Sequence, residues 1–166
     1  NGCAIAGQRS HVTVYSNSNF DNRKYNQFYS YYSGHSCSIG MFVIDQYLED
    51  SMPLKFTANK SESVNKLFVA YEETEGAVFP PYFSHVELYF SSIDYAKVVV
   101  LDSMTKQPIM QCIYTRGFFA FAGGGRFRII MEQSLAKGFE KLEDIKKEKA
   151  KEPNKKFPDQ ITFTVD

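Results

Sequence analysis

Few residues in this 166-residue chain carry side chains able to do chemistry, and their spacing narrows what that chemistry is. Three histidines, His11, His35 and His85, stand far apart in sequence, and none falls in a catalytic or metal-binding pattern. Three cysteines, Cys3, Cys37 and Cys112, form no CxxC pair and have no histidine at ligand spacing, so no metal site is expected. Asp45 and Glu49 lie four apart, on one face if the segment is helical. That pair can hold a cation, but it is more commonly a solvated stripe. Gly123-Gly124-Gly125-Arg126 opens onto a helical pattern, where free backbone N–H groups attract anions. It lacks the G-x-x-x-x-G-K-[ST] spacing of a phosphate-binding loop. No nucleophile, base and orienting group come together, so the expectation is a protein that is not an enzyme and carries no cofactor.

Cys3 has a different significance. The sequence opens Asn1-Gly2-Cys3-Ala4, and a Gly-Cys pair before a polar stretch has the form of a bacterial lipoprotein processing site. Cys3 would then bear lipid, with Asn1-Gly2 removed; an ordinary cysteine is the plain alternative. Cys37 and Cys112 remain as a disulfide pair in an oxidising periplasm, or as two buried thiols.

The elements that position these residues read as α+β. Residues 1–10 form a tether, and 11–166 a single domain. His11–Tyr15 alternates as a first strand. Ser16–Asn22 is a run of turn formers with Phe20 reaching into the core. Ile39–Ser51 has Met41, Ile44, Tyr47 and Leu48 at helical spacing and stops before Pro53; a strand through Met41–Ile44 competes. Leu54–Thr57 and Val64–Glu72 are strand candidates. His85–Phe90 alternates as a strand, and Tyr95–Leu101 is nearly continuous apolar, as a central strand covered on both faces would be. Pro108–Thr115 returns after a polar turn. Phe127, Ile130, Met131, Leu135, Phe139, Leu142 and Ile145 then mark a long amphipathic helix, with Gly138 placed to allow close packing. Ile161, Phe163 and Val165 alternate as a final strand. The expected architecture is an antiparallel sheet of about five to seven strands, with the long C-terminal helix on one face and a second short helix.

Composition sets the rest. Lys+Arg and Asp+Glu are equal at 19 each, which argues against a nucleic-acid binder. The charge run Lys146–Lys156 is interrupted by Glu148 and Glu152 and reads as a solvated helix end. No apolar stretch approaches the roughly 20 residues of a membrane span. Aromatics number 15 Phe and 11 Tyr with no Trp, a bias that suits half-buried strand faces and interfaces. They concentrate in Arg23–Gly34 and Phe118–Phe121. Tyr25, Phe28, Tyr29 and Tyr32, with Phe118, Phe119 and Phe121, are therefore the expected interaction surface, against the plainer reading of core and rim packing.

The order of these features resembles an uncharacterised family of small bacterial envelope lipoproteins. The matching residues are Cys3, Val12–Tyr15, Asn19-Phe20-Asp21 with Tyr25 and Phe28-Tyr29, Leu67–Tyr71, Val98–Asp102 with Thr105-Lys106, and Phe127–Leu142. The aromatic signature is more spread out here, the glycine loop is longer, and a strand follows the helix. The resemblance implies a periplasmic domain held at the outer membrane by its lipid anchor alone, with no catalysis and no site residues to transfer. The expected function is a structural or protein-interaction component of an envelope assembly, its partner another envelope protein or the same protein. The alternative is a soluble periplasmic or extracellular domain that encloses a small apolar or aromatic ligand between the Tyr95–Thr115 hairpin and the helix.

Overall fold

Alternation at period two puts Val12 and Val14 of β1 (Arg9–Tyr15) on one face of a sheet and His11 and Thr13 on the other. The structure, a computed structural model, describes residues 7–33, 38–75, 93–116 and 124–166. Among them are six further strands: β2 (Gln27–Tyr32), β3 (Lys55–Phe56), β4 (Lys66–Glu75), β5 (Ile93–Asp102), β6 (Pro108–Thr115) and β7 (Gln160–Val165). Two helices, α1 (Ile39–Ser51) and α2 (Gly124–Lys151), complete an α+β fold. The strand order is β3-β2-β4-β5-β6-β1-β7.

The sheet is mixed, not all antiparallel. β2 runs parallel to both β3 and β4, while the other pairings are antiparallel. The cause is α1, which carries the chain from β2 back to the same sheet, and a helical crossover delivers the next strand in parallel. The helical periodicity of Ile39–Ser51 prevails over the competing strand. Ser38 caps the helix by accepting from the Met41 amide at 3.1 Å, and Pro53 stands just beyond its end.

Both helices pack on one face of the sheet. Phe28, Leu67, Val69 and Tyr71 lie under α1; Val12, Val98, Met110, Cys112 and Tyr114 lie under α2, against Ile130, Met131 and Leu135. The Tyr114 ring meets Phe127 edge-on at 4.9 Å. Gly138 makes the close approach that its position in the sequence invites. A Cβ there would fall 1.9 Å from Met110 Sδ and 3.2 Å from Val12 Cγ1. Among the described residues, Val98, Met110, Cys112 and Tyr114 of the β5–β6 hairpin fill the space beneath α2 with buried side chains.

Two expectations need adjusting. β1 begins at Arg9, so the tether does not extend to residue 10, and Ser10 is fully buried. β5 is central in order and, among the described residues, covered on one face only, since both described helices lie on the same side; Val99 and Leu101 face away from them. α2 runs on through Lys151, so the first part of the charge run is the solvated helix end that the sequence indicates. The expected strand His85–Phe90 lies outside the described residues.

Candidate functional site

The sheet face opposite the helices is a surface that the fold leaves without a described partner. Tyr29 and Tyr31 of β2, Phe68 and Ala70 of β4, and Val99 and Leu101 of β5 project from it. Most are half-buried by their neighbours, whereas Tyr31 is 57% exposed. Tyr29 meets Phe68 edge-on at 5.9 Å, and Lys106 Nζ sits 4.0 Å from the centre of the Phe68 ring. A shallow cleft of about 210 Å³ follows, lined by Tyr31, Ser33, Ala70, Tyr71, Glu72, Lys97 and Val99. Its polar rim around an apolar floor is the composition of an interaction surface.

The strand divides the aromatic segment between two faces. Phe28 is wholly buried, and Tyr25, just before β2, is 4% exposed. Tyr32 is half-buried on the helix side, its hydroxyl donating to Glu73 Oε1 at 3.2 Å. Of the four segment residues expected at the surface, only Tyr29 faces outward on the open face. Tyr31, Phe68, Val99 and Leu101 were not singled out from sequence. The signal was present in Phe28-Tyr29-Ser30-Tyr31-Tyr32, where strict alternation assigns Tyr29 and Tyr31 to one side. Ser30, a small polar residue at an inward position, obscured it. It is inward because its Oγ donates to Asp45 of α1.

Beneath the open face lies a buried polar junction. Asp102 ends β5 and is 6% exposed. Its Oδ2 accepts from the Tyr25 hydroxyl at 2.6 Å and from Lys24 Nζ at 3.3 Å. Its Oδ1 accepts from the Met104 and Thr105 amides, each at 2.9 Å, which fixes the β5–β6 turn. Burial pushes the carboxyl up, but the hydrogen bonds from Tyr25, the Thr105 backbone and Lys24 outweigh it and hold Asp102 at about 2. Burial and the adjacent carboxylate push the Tyr25 hydroxyl well above its ordinary range. Lys66, next to this junction, is 2% exposed and donates to the carbonyls of Asn59 at 3.0 Å and Ser61 at 2.6 Å. A charged aspartate with every oxygen engaged and a lysine spent on backbone carbonyls brace loops together; neither presents a reactive group to solvent.

A second polar junction joins α1 to the sheet. The Tyr71 hydroxyl donates to Glu73 Oε2 at 2.7 Å and presses on Gly40, where a Cβ would stand 1.9 Å from it. Burial first, then Glu73, raises the Tyr71 hydroxyl far above its usual range. Asp45 and Glu49 share a face of α1, as their spacing requires. Burial raises Asp45, Glu49 adds to this, and the Ser30 hydrogen bond opposes it.

The remaining candidates are placed as follows. Cys112 is a free thiol at the centre of β6, and burial pushes it up to about 12. Cys3, Cys37, His35, His85, Phe118, Phe119 and Phe121 lie outside the described residues. His11 is exposed, with Nδ1 at 3.2 Å from Thr164 Oγ1. α2 does start at the glycine run, with Arg126 exposed in its first turn. Among the described residues, no three His, Cys, Asp or Glu side chains are grouped to hold a metal, and no helix is long and apolar enough to cross a membrane. A cleft of about 300 Å³ beside the C-terminal half of α2 contains Lys146 and Lys149. Both are engaged, Lys146 with Asp21 at 2.9 Å and Lys149 with the Ser16 carbonyl.

Comparison with known proteins adds distant likeness. No family model matches the sequence, and no curated protein matches it. Among solved structures, the chain is similar to a point variant of PelC, a dodecamer from Paraburkholderia phytofirmans, at 8% identity and a TM-score of 0.41. That match covers 67% of this chain and 88% of the other. It is also similar to a PDZ domain protein from Parabacteroides distasonis, at 11% identity and a TM-score of 0.42, over 96% of this chain and 40% of that one.

Proposed function

We propose that this chain is a non-enzymatic protein-interaction component of the bacterial cell envelope, anchored through lipid on Cys3 at the periplasmic face of the outer membrane. The observation that carries the interaction role is the uncovered sheet face. A seven-stranded sheet has two helices on one side, and on the other Tyr29, Tyr31, Phe68, Val99 and Leu101 have no described element packed over them. Exposed tyrosine over an apolar floor, with Glu72 and Lys97 at the rim, suits another protein better than a small ligand, because the cleft is shallow and open. The Gly2-Cys3 pair supports the anchor.

Hydroxyl-radical footprinting tests the reading. Purified protein and isolated envelopes from cells expressing the chain behind a lipoprotein signal would be oxidised in parallel. Tyr31 is expected to be protected several-fold in envelopes, and Cys3→Ser should move the protein out of the membrane fraction. Equal oxidation of Tyr31 in both preparations rules out the open face as the occupied surface.

A further inference from the structure

The two ends of the sheet are finished differently. β3, at one end, is two residues long and begins with Lys55, a short charged edge of the kind that resists pairing. β7, at the other end, is six residues long and contains no charge and no proline. Among the described residues it pairs only with β1. Ile161 and Phe163 on its helix side are half-buried, and Thr162 and Thr164 on its other side are exposed. A long, uncharged, alternating edge is a template for another strand.

Beside this edge, Ile161 and Phe163 floor a groove of about 350 Å³ whose wall is a row of charges on α2: Lys137, Glu140, Lys141 and Asp144. Some of the other charges on the helix are committed. Arg128 pairs with Glu132 at 2.9 Å, Lys146 with Asp21 at 2.9 Å, and Glu148 with Lys155 at 2.9 Å. The four groove residues make no ion pair among the described residues. Their order along the helix is plus, minus, plus, minus.

We propose that the partner at this edge is a second copy of the chain, joined by antiparallel β7–β7 pairing about a twofold axis through Thr162. In a twofold interface, if residue i meets j then j meets i. A twofold that sets Lys137 opposite Asp144 of the other copy is centred on the helix between Glu140 and Lys141. The same centre sets Glu140 opposite Lys141, so one axis satisfies all four charges. On the strand, an axis at Thr162 sets Ile161 opposite Phe163 in both directions. α2 packs chiefly over β1, one strand in from the edge. Two copies would therefore run antiparallel at about 14 Å, three strand spacings, with the ion pairs bridging over the apolar floor. Neither the strand nor the helix needs to move, and the result is one continuous sheet with the open faces of both copies on the same side.

Sedimentation velocity on the purified chain at micromolar concentration tests this. The expected species has twice the 19.0 kDa mass of one chain. Ile161→Lys places an inward-pointing charge on the edge and should give a monomer. Lys137→Glu, an exposed change that leaves the fold intact, sets like charges opposite each other and should raise the dimer Kd at least tenfold. The double variant Lys137→Glu with Asp144→Lys reverses the pair and should restore association. A chain that is monomeric throughout overturns the proposal. So does a dimer indifferent to both single substitutions, or a double variant no tighter than Lys137→Glu.

Discussion

The Tyr25 hydroxyl donates to Asp102 Oδ2 at 2.6 Å, joining two residues 77 positions apart. The bond ties the approach to β2 to the far end of β5, across the intervening β4, and Asp102 organises the following turn as well. The folded state holds this carboxyl at about 2, below its ordinary 3.8. A depressed carboxyl contributes stability that is present above the unfolded pKa and lost as pH falls through the folded one. Asp102→Asn should therefore be less stable than the parent by about 2 kcal/mol at pH 7. The difference should shrink between pH 4 and pH 2. Urea titrations across that range check it.

Asp45 should behave in the opposite sense. Burial between α1 and the sheet raises its carboxyl, so the group favours folding below its unfolded pKa, and that contribution is lost as pH rises through the folded value. Asp45→Asn keeps an acceptor for Ser30 and removes the buried charge. The variant should be more stable than the parent at pH 7, with no advantage at pH 3. Denaturation midpoints at the two pH values decide the matter.

The division of β2 between two faces predicts unequal costs for neighbouring aromatic residues. Phe28→Ala empties a wholly buried site and should cost about 3–5 kcal/mol. Tyr31→Ala removes a ring that is 57% exposed and should change stability by no more than about 0.5 kcal/mol. Thermal or chemical unfolding of the two variants compares them directly.

Gly138→Ala sets two effects against each other. Alanine favours the helix by about 1 kcal/mol. Its Cβ would stand 1.9 Å from Met110 Sδ, and Met110 is wholly buried, so the core must shift. Overpacking of this kind costs about 1–3 kcal/mol, so the net effect should be destabilising. Adding Met110→Ala makes room, and the double variant should be more stable than the sum of the two single changes implies.

The long helix, the β5–β6 hairpin and the returning strand were legible because each is set by local periodicity. Phe127 through Ile145 repeats at helical spacing, and Pro108–Thr115 alternates between turn residues. The parallel placement of β2 was not legible. It depends on where the chain goes after α1, which no local pattern records. The continuous apolar run of β5 indicated cover on both faces; among the described residues only one face is covered, and neighbouring strand side chains leave Val99 and Leu101 half-buried on the other. The acid–hydroxyl pairs were equally hidden. Tyr25 and Asp102 are ordinary residues in sequence, and only the sheet brings them together. The edge charges of α2 were not singled out in sequence, because only the fold sets β7 beside them.

β1 lies between β6 and β7, and Thr13 of β1 bonds to Thr162 of β7 across 149 positions. Both neighbours of this early strand leave the ribosome late. At roughly 5–20 residues per second, β1 waits on the order of ten seconds before β7 is made. During synthesis its uncharged Val12 and Val14 stand without either partner, so the nascent chain carries an unpaired strand from the emergence of β1 until β6 and β7 follow. The sheet closes only when its two most distant segments meet.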